Sequence, residues 1–599
     1  MINQSVNVMK HKIIIFGLIM LSMASCKKIL DPQPENLKTL DQMYTDANFA
    51  QGFLINAYRT IPAYYDNSDY ATDDAVTNLT TNAYLQAATG SWTASNNPTS
   101  VWNQSYEGTQ YINLFLENSN LVKWAADPEA SKLFNRRMRG EAFGLRGLYL
   151  YFLLRNHGGI ATNGQLLGVP ILTEYQTGES NYNIPRASFD ACVKQIYKDL
   201  DSAESYLPIE YNNLSSSAQI PDRFKPLTQN YETYNRVMGE ASRLLFNGLI
   251  AKAFRARTAL LAASPAFQNS ANPNTWANAA DYAGALIDYK GGVNGLAQNG
   301  VTYYKNSEVD GLGNGNNPPE IIWRENLATN DGTQENLHFP PTLFGSGNMN
   351  PTQNLVEAFP MANGYPIDNP NANWNPANPY AGRDPRLANY IIYDGSTAGV
   401  SNVVIRTGSA SGTDNGINAR STSTRTGYYM RKRLRMDVNR NPNSPTGKNH
   451  YNPRIRYTEM YLDYAEAANE AYGPVGTGPR SYSAYDVIKA IRKRALGLNT
   501  DPYLEECKLD QEKMAILIRN ERRLELCFES FRFWDLRRWK GKVNLTKLNE
   551  VARGLDVNGS VYTPINVETR AYQNYMFYGP VPNSEVLKYS ELLQNQGWK

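Results

Sequence analysis

Glu521-Arg522-Arg523-Leu524-Glu525-Leu526-Cys527-Phe528-Glu529-Ser530-Phe531-Arg532-Phe533-Trp534-Asp535-Leu536-Arg537-Arg538-Trp539 carries five arginines, four acids and five aromatic rings in nineteen residues. Charges at that density beside so many rings do not belong on an open surface. Glu521 and Glu525 stand one helical turn apart, so arginines on the same face reach both. Alternation of Arg and Glu with aromatics predicts partly buried ion pairs wedged between rings. The pattern predicts a structural helix over residues 511–539.

Further helices flank it. Tyr457, Met460, Tyr461, Tyr464, Ala465 and Ala468 form an i, i+3, i+4, i+7, i+8, i+11 stripe, and Val487, Ile488 and Ile491 begin another. Upstream, helical patterns run from Asp46 to the stop at Pro62, from Trp102 to Trp124, and from Phe134 to Leu154 after an Asp127-Pro128 break. Two more run from Ser188, a plausible N-cap, to Tyr206, and from Tyr234 to Ala263. Helix pairs recurring every ~30–40 residues fit tetratricopeptide-like stacking, although no clean consensus repeat is present. The expected fold is mostly α: a helical-pair scaffold with a loop-rich insertion carrying minor β structure. Gly311-Leu312-Gly313 and the Asn/Pro run after it, with short pieces such as Glu320-Ile321-Ile322-Trp323 and Val403-Val404-Ile405, mark that insertion. The expected division is a leader at 1–25, a tether at 26–45, a helical scaffold at 46–290 with an irregular loop at 63–100, the insertion at 291–455 and a helical region at 456–599.

The leader reads directly from its residues. Lys10-His11-Lys12 is basic, Ile13 to Met23 is almost wholly apolar, and Ala24-Ser25 are small before Cys26. That is the layout of an export signal, and the apolar run is too short to span a bilayer. Met23-Ala24-Ser25-Cys26 also resembles a bacterial lipobox with methionine in place of the usual leucine, which makes Cys26 the expected lipidated residue. An ordinary cleaved signal is the alternative.

Composition excludes several functions. Fifty-nine basic against 56 acidic residues leave a formal net charge of +3, without the basic footprint that nucleic acid requires. Cys192, Cys507 and Cys527 have no metal-ligand spacing. Buried free thiols are favoured, with a Cys507–Cys527 bridge left open. Four scattered histidines give metal chemistry little to use. No GxSxG or HExxH motif is present. Adjacent Asp73-Asp74 do not make the separated carboxylate pair of a glycosidase, about 5–10 Å apart, so no enzyme is expected. Tyrosine is the unusual residue: 40 Tyr against 19 Phe, which suits wet surfaces that bind polar, uncharged ligands.

Together with the opening stretch, Arg456-Tyr457-Thr458-Glu459-Met460-Tyr461-Leu462-Asp463-Tyr464-Ala465-Glu466-Ala467, the run Ile488 to Gly497, Arg383-Asp384-Pro385-Arg386-Leu387 and Asn354 to Phe359 resemble the SusD/RagB family of outer-membrane glycan-binding lipoproteins. Leu30-Asp31-Pro32 after the lipobox and the Trp102–Asn120 helix fit the same family. The resemblance implies a lipid-anchored protein on the outer face of the outer membrane. It implies a lid on a SusC-like TonB-dependent transporter, to which captured oligosaccharide or polysaccharide is passed. Some relatives bind peptide instead, which makes a peptide-import lid the first alternative and a secreted glycoside hydrolase the second. No cofactor is implied, although calcium serves some relatives.

Sugar binding without catalysis needs flat aromatic faces and polar side chains on loops held by a rigid scaffold. The resemblance places part of the ligand site in the 63–100 loop, which offers Asp66, Asp69, Tyr70, Asp73, Asp74, Asn78, Asn82, Tyr84, Trp92, Asn96 and Asn97. Trp92 is the expected stacking platform, with Tyr84 nearby and Asp73 and Asn96 as hydroxyl partners. The insertion offers a second wall through Tyr303, Tyr304, Trp323 and Trp374, of which Trp323 reads better as core.

Overall fold

The computed structural model describes residues 40–599 apart from 64 and 314. The leader, Cys26 and most of the expected tether lie outside the described residues. The tether's last residues are already part of the body: Leu40–Tyr44 is a 3-10 turn, Met43 is fully buried, and the Tyr44 hydroxyl donates to Asn118 Oδ1 at 3.1 Å.

The scaffold is a chain of antiparallel helices: α1 (Ala47–Arg59), α2 (Trp102–Asn118), α3 (Pro128–His157), α4 (Phe189–Tyr206), α5 (Tyr231–Met238), α6 (Gly248–Ala263) and α7 (Trp276–Tyr289). It continues through α8 (Tyr457–Tyr472), α9 (Ala484–Leu496) and α10 (Gln511–Glu525). Each long helix packs on its neighbour along the path α1, α2, α3, α4, α6, α7, α8, α10, so α8 closes the stack from 168 residues downstream of α7's end, by chain numbering. One large apolar core runs through all of them. Caps fix the ends: Asp46 accepts from the amides of Asn48 and Phe49 at 3.1 and 3.0 Å, and Ser188 from that of Ala191 at 3.1 Å. No helix among the described residues is long and apolar enough to cross a membrane.

Four expectations about elements need correction. Asp127-Pro128 is not a break but the N-cap and first residue of α3, where proline's missing N–H costs nothing. The pattern from Tyr234 to Ala263 is two helices, because Gly239 leaves the helix where a Cβ would lie 2.2 Å from the Asn235 carbonyl, and Asn247 caps α6. A regular hairpin, Ala552–Asn558 with Val561–Glu568, lies inside the region expected to be helical. The opening stretch is also not one helix. α10 ends at Glu525, Phe528 and Ser530 take left-handed φ of 62° and 61°, and α11 (Arg532–Arg538) starts in a new direction.

Among the described residues the insertion holds only two-stranded ladders, among them Ile321–Arg324 with Pro453–Arg456. Another joins it to the 63–100 loop: Ala75 pairs with Pro351 and Thr77 with Met349. Trp323 is core, as expected, at 3% exposure. Cys192, Cys507 and Cys527 are buried free thiols.

Candidate ligand-binding surface

The sequence landmarks converge on one buried hub. Arg386 reaches Glu521 Oε2 at 2.9 Å, Glu525 Oε1 at 3.0 Å and Asp384 Oδ2 at 2.7 Å. Arg492 takes the other oxygen of Glu521 at 2.6 Å and Arg494 the other oxygen of Glu525 at 2.9 Å. The kink after α10 swings Glu529 onto Arg456 at 2.8 Å and Lys432 at 2.6 Å, while Lys432 also donates to the carbonyls of Glu525 and Cys527. The strained backbone thus aims a carboxylate and leaves the helix-end carbonyls satisfied. Burial pushes the Glu525 carboxyl up, but Arg494, Arg386, Arg456 and Lys432 outweigh it and hold it at about 2. Nothing in this hub reaches solvent, so its work is to join insertion, scaffold and C-terminal region.

The expected ligand loop is welded to the same region. Asp73, 3% exposed, forms ion pairs with Arg532 at 2.8 Å, Arg523 at 3.1 Å and Lys547 at 2.9 Å; Asp74 pairs with Arg523 at 2.6 Å. Asp73 therefore has no capacity left for a sugar hydroxyl. Trp92 is corrected too. It is 2% exposed, its ring packs against Trp598, Phe533 and Tyr572 at centroid distances of 5.0, 5.8 and 6.2 Å, and the Arg537 guanidinium lies 5.0 Å from its centroid. Its Nε1 donates to Asn97 Oδ1 at 2.9 Å. No ring face remains for stacking.

Tyr84 is part-buried, edge-on to Phe533. Tyr304 is 7% exposed, packs on Tyr303 and donates to the Asn389 carbonyl at 3.1 Å, which removes it as a platform. Trp374 keeps a part-exposed ring with Nε1 donating to the Pro379 carbonyl at 3.3 Å. Asn96 is exposed, its Nδ2 donating to the Ser91 carbonyl at 3.0 Å. The six do not converge: Trp92, Tyr304 and Trp374 belong to three separate apolar clusters. Among the described residues no three acidic, histidine or cysteine side chains gather as metal ligands.

Asp69 gives this region a pH signature. It is 1% exposed, accepts from the Ser530 amide at 3.0 Å through Oδ2, and has no hydrogen-bond partner at Oδ1. Burial first, then the charge of Asp74, push its carboxyl up to about 7. A carboxyl whose folded value lies above its unfolded one binds its proton more tightly when folded. Its contribution therefore falls as pH rises from about 4 to 7. Asp69→Asn is expected to melt at a higher temperature than the parent at pH 8, with the difference shrinking toward pH 4. A gap that does not change with pH would count against this assignment.

A crevice between α3, α6, α8 and α11, lined by Arg155, Arg257, Glu459, Asp463 and Trp534, holds about 70 Å³. That is room for a few waters, at roughly 10–15 Å³ each, and not for a sugar ring.

An aromatic surface that the sequence reading did not single out sits elsewhere, where the insertion meets the C-terminal hairpin. Tyr380 and Tyr393 stack with centroids 4.3 Å apart and planes 23° from parallel, and Tyr562 of the hairpin stands edge-on to Tyr380 at 6.1 Å. All three are part-exposed. Behind them, the Tyr380 and Tyr428 hydroxyls are 3.1 Å apart and Tyr428 donates to Gln353 Oε1, so the platform has a fixed base. At its rim Asp394 accepts from the Thr407 amide at 2.7 Å and from Arg406 at 3.2 Å. Flat faces with a carboxylate and a guanidinium alongside make a surface suited to pyranose rings and their hydroxyls. Tyr380 and Tyr393 come from one part of the insertion and Tyr562 from the distant C-terminal hairpin, and only the excess of Tyr over Phe hinted at them.

Comparison with known proteins supplies the context. A model of the SusD family matches residues 319–598, and one described as starch-binding associating with outer membrane matches residues 31–220. A SusD-like protein of Formosa agariphila is 30% identical over 169 residues, which span 28% of this chain and 27% of that protein. Among solved structures, a SusD-like protein from Bacteroides fragilis superposes with a TM-score of 0.67 at 22% identity, covering 94% of this chain and 99% of its own. A SusD-like carbohydrate binding protein from the same species gives 0.66 at 21% identity, covering 92% and 99%. Surface glycan-binding protein A from Bacteroides fluxus gives 0.56 at 17% identity, covering 92% and 100%. At these identities the likeness establishes the fold.

Proposed function

The chain belongs to the SusD/RagB family, and from that premise we propose that it captures oligosaccharide without catalysis and delivers it to a SusC-like TonB-dependent transporter in the outer membrane. The observation that carries the reading is the stacked, part-exposed Tyr380–Tyr393 pair with Tyr562 beside it and Asp394 and Arg406 at the rim. The names of its relatives, a carbohydrate binding protein and a surface glycan-binding protein, support it. Lipidation of Cys26 and an outward-facing position complete the proposal, since a lid must stay beside its transporter and two acyl chains give lasting attachment. Trp374 and Asn96, which keep exposed surface, remain proposed outer contacts.

Isothermal titration against a glycan panel tests the reading. The parent binds at least one glycan, and Tyr393→Ala lowers that affinity about tenfold or more, roughly 1.4 kcal/mol, with little change in melting temperature. A parent that binds no glycan defeats the function; an unchanged affinity in Tyr393→Ala defeats the site.

A further inference from the structure

Two cations beside the tyrosine platform lack acidic partners. Arg431 and Lys305 are both part-exposed, and neither pairs with a carboxylate among the described residues. Arg431 Nη1 donates to the Thr397 carbonyl at 2.6 Å, and Lys305 Nζ donates to Asn389 Oδ1 at 3.2 Å. Those are their side chains' hydrogen bonds. Both are anchored on the one segment that carries Tyr393: Lys305 on the Asn389 side chain, and Arg431 through its amide on the Tyr390 carbonyl at 2.8 Å and its guanidinium on Thr397. Burial first, then Arg431, lower the Lys305 ammonium.

Most buried cations here are neutralised, as Arg386, Arg456 and Arg532 are. Arg186, which also lacks a carboxylate, is buried and spends its guanidinium on the carbonyls of Gly168, Leu593, His157 and Leu167 and on Asn595 Oδ1. That is how a purely structural arginine is satisfied. Arg431 is different, with one carbonyl, a like-charged neighbour and access to solvent. Two half-desolvated positive charges held together raise each other's energy, and an anion between them removes that cost.

We propose that Arg431 and Lys305 form an anion subsite next to Tyr393, and that the ligand is an acidic glycan whose ring lies on the tyrosines while its anionic substituent sits between the two cations. This rests on the glycan-binding reading above. The shared chemistry is a carboxylate or a sulfate ester, and guanidinium can meet either with paired N–H donors.

The test uses the full-length protein and two matched pairs: a polyuronate against its carboxyl-reduced form, and a sulfated galactan against its desulfated form. The parent is expected to bind at least one anionic member tenfold or more tightly than its neutral partner, and the pair that shows this identifies the group. That preference should shrink as sodium chloride rises from 20 to 200 mM. Arg431→Gln with Lys305→Gln should abolish the preference and leave affinity for the neutral partner unchanged, while Arg431→Lys retains most of it. Equal binding of anionic and neutral partners, or a preference that survives the double variant, overturns the subsite and leaves the receptor reading standing. Binding of none of the four glycans, with none from a wider panel either, is the separate result that removes the receptor reading and this inference with it.

Discussion

Arg386→Met is expected to destabilise the protein by about 3–5 kcal/mol, the range for removing one partner of a buried ion pair. Arg386 has no exposed surface and holds three carboxylates at once, those of Asp384, Glu521 and Glu525. Without it Glu521 keeps Arg492 and Glu525 keeps Arg494, but each is left with an uncompensated share of charge away from water. Asp384 loses its cation altogether. Differential scanning calorimetry at pH 7 reads the effect as a fall in the first transition, and hydrogen exchange should locate it in α10, α9 and residues 383–390. A variant that melts within a degree of the parent would mean that the hub contributes little. The same hub sets the acid limb. Glu525, held at about 2, contributes stability that is complete above its unfolded value of about 4.5 and lost as pH falls toward 2. Asp69 acts in the opposite sense over pH 4 to 7.

The sequence carries the helices because 3.6-residue periodicity and capping are local. Ser188, Asp46 and the stripe from Tyr457 to Ala468 needed no partner to be read. What it hid is non-local. The break at 526–531 falls within residues of good helical pattern, and what makes it is the demand of Arg456 and Lys432 for Glu529, both many residues upstream. The 63–100 loop looked exposed because polar, aromatic, turn-rich segments usually are. Asp73 and Asp74 in it are instead countercharges for Arg523 and Arg532, residues of the very stretch that looked over-rich in arginine. Reading Arg523 and Arg532 as seeking distant carboxylates was within reach; naming Asp73 and Asp74 as those carboxylates was not. The same limit hid the candidate surface: Tyr380, Tyr393 and Tyr562 have no shared local pattern, and only folding stacks them.

Trp92→Ala separates a structural tryptophan from a ligand platform. With 2% exposure and three aromatic neighbours, removal of the indole is expected to cost about 3–5 kcal/mol, the range for Trp or Phe to Ala in a core. The loss is more than a cavity. Arg537, whose guanidinium lies near the rings of Trp92, Phe533 and Tyr572 and whose Nε and Nη2 have no hydrogen-bond acceptor, is left with less π surface to offset its burial. Asn97 loses the indole donor, although Thr99 still donates to it through its amide and hydroxyl. Two measurements on the same sample decide the matter. Thermal unfolding should fall sharply, with faster hydrogen exchange over residues 83–99 and 570–598. Glycan affinity of the folded protein at 10 °C should stay within twofold of the parent, while Tyr393→Ala shows the reverse pattern. A Trp92→Ala protein with the parent's melting temperature and no glycan binding would return the platform to the 63–100 loop. The aromatic cluster that now closes over both faces of the indole is the reason to expect otherwise.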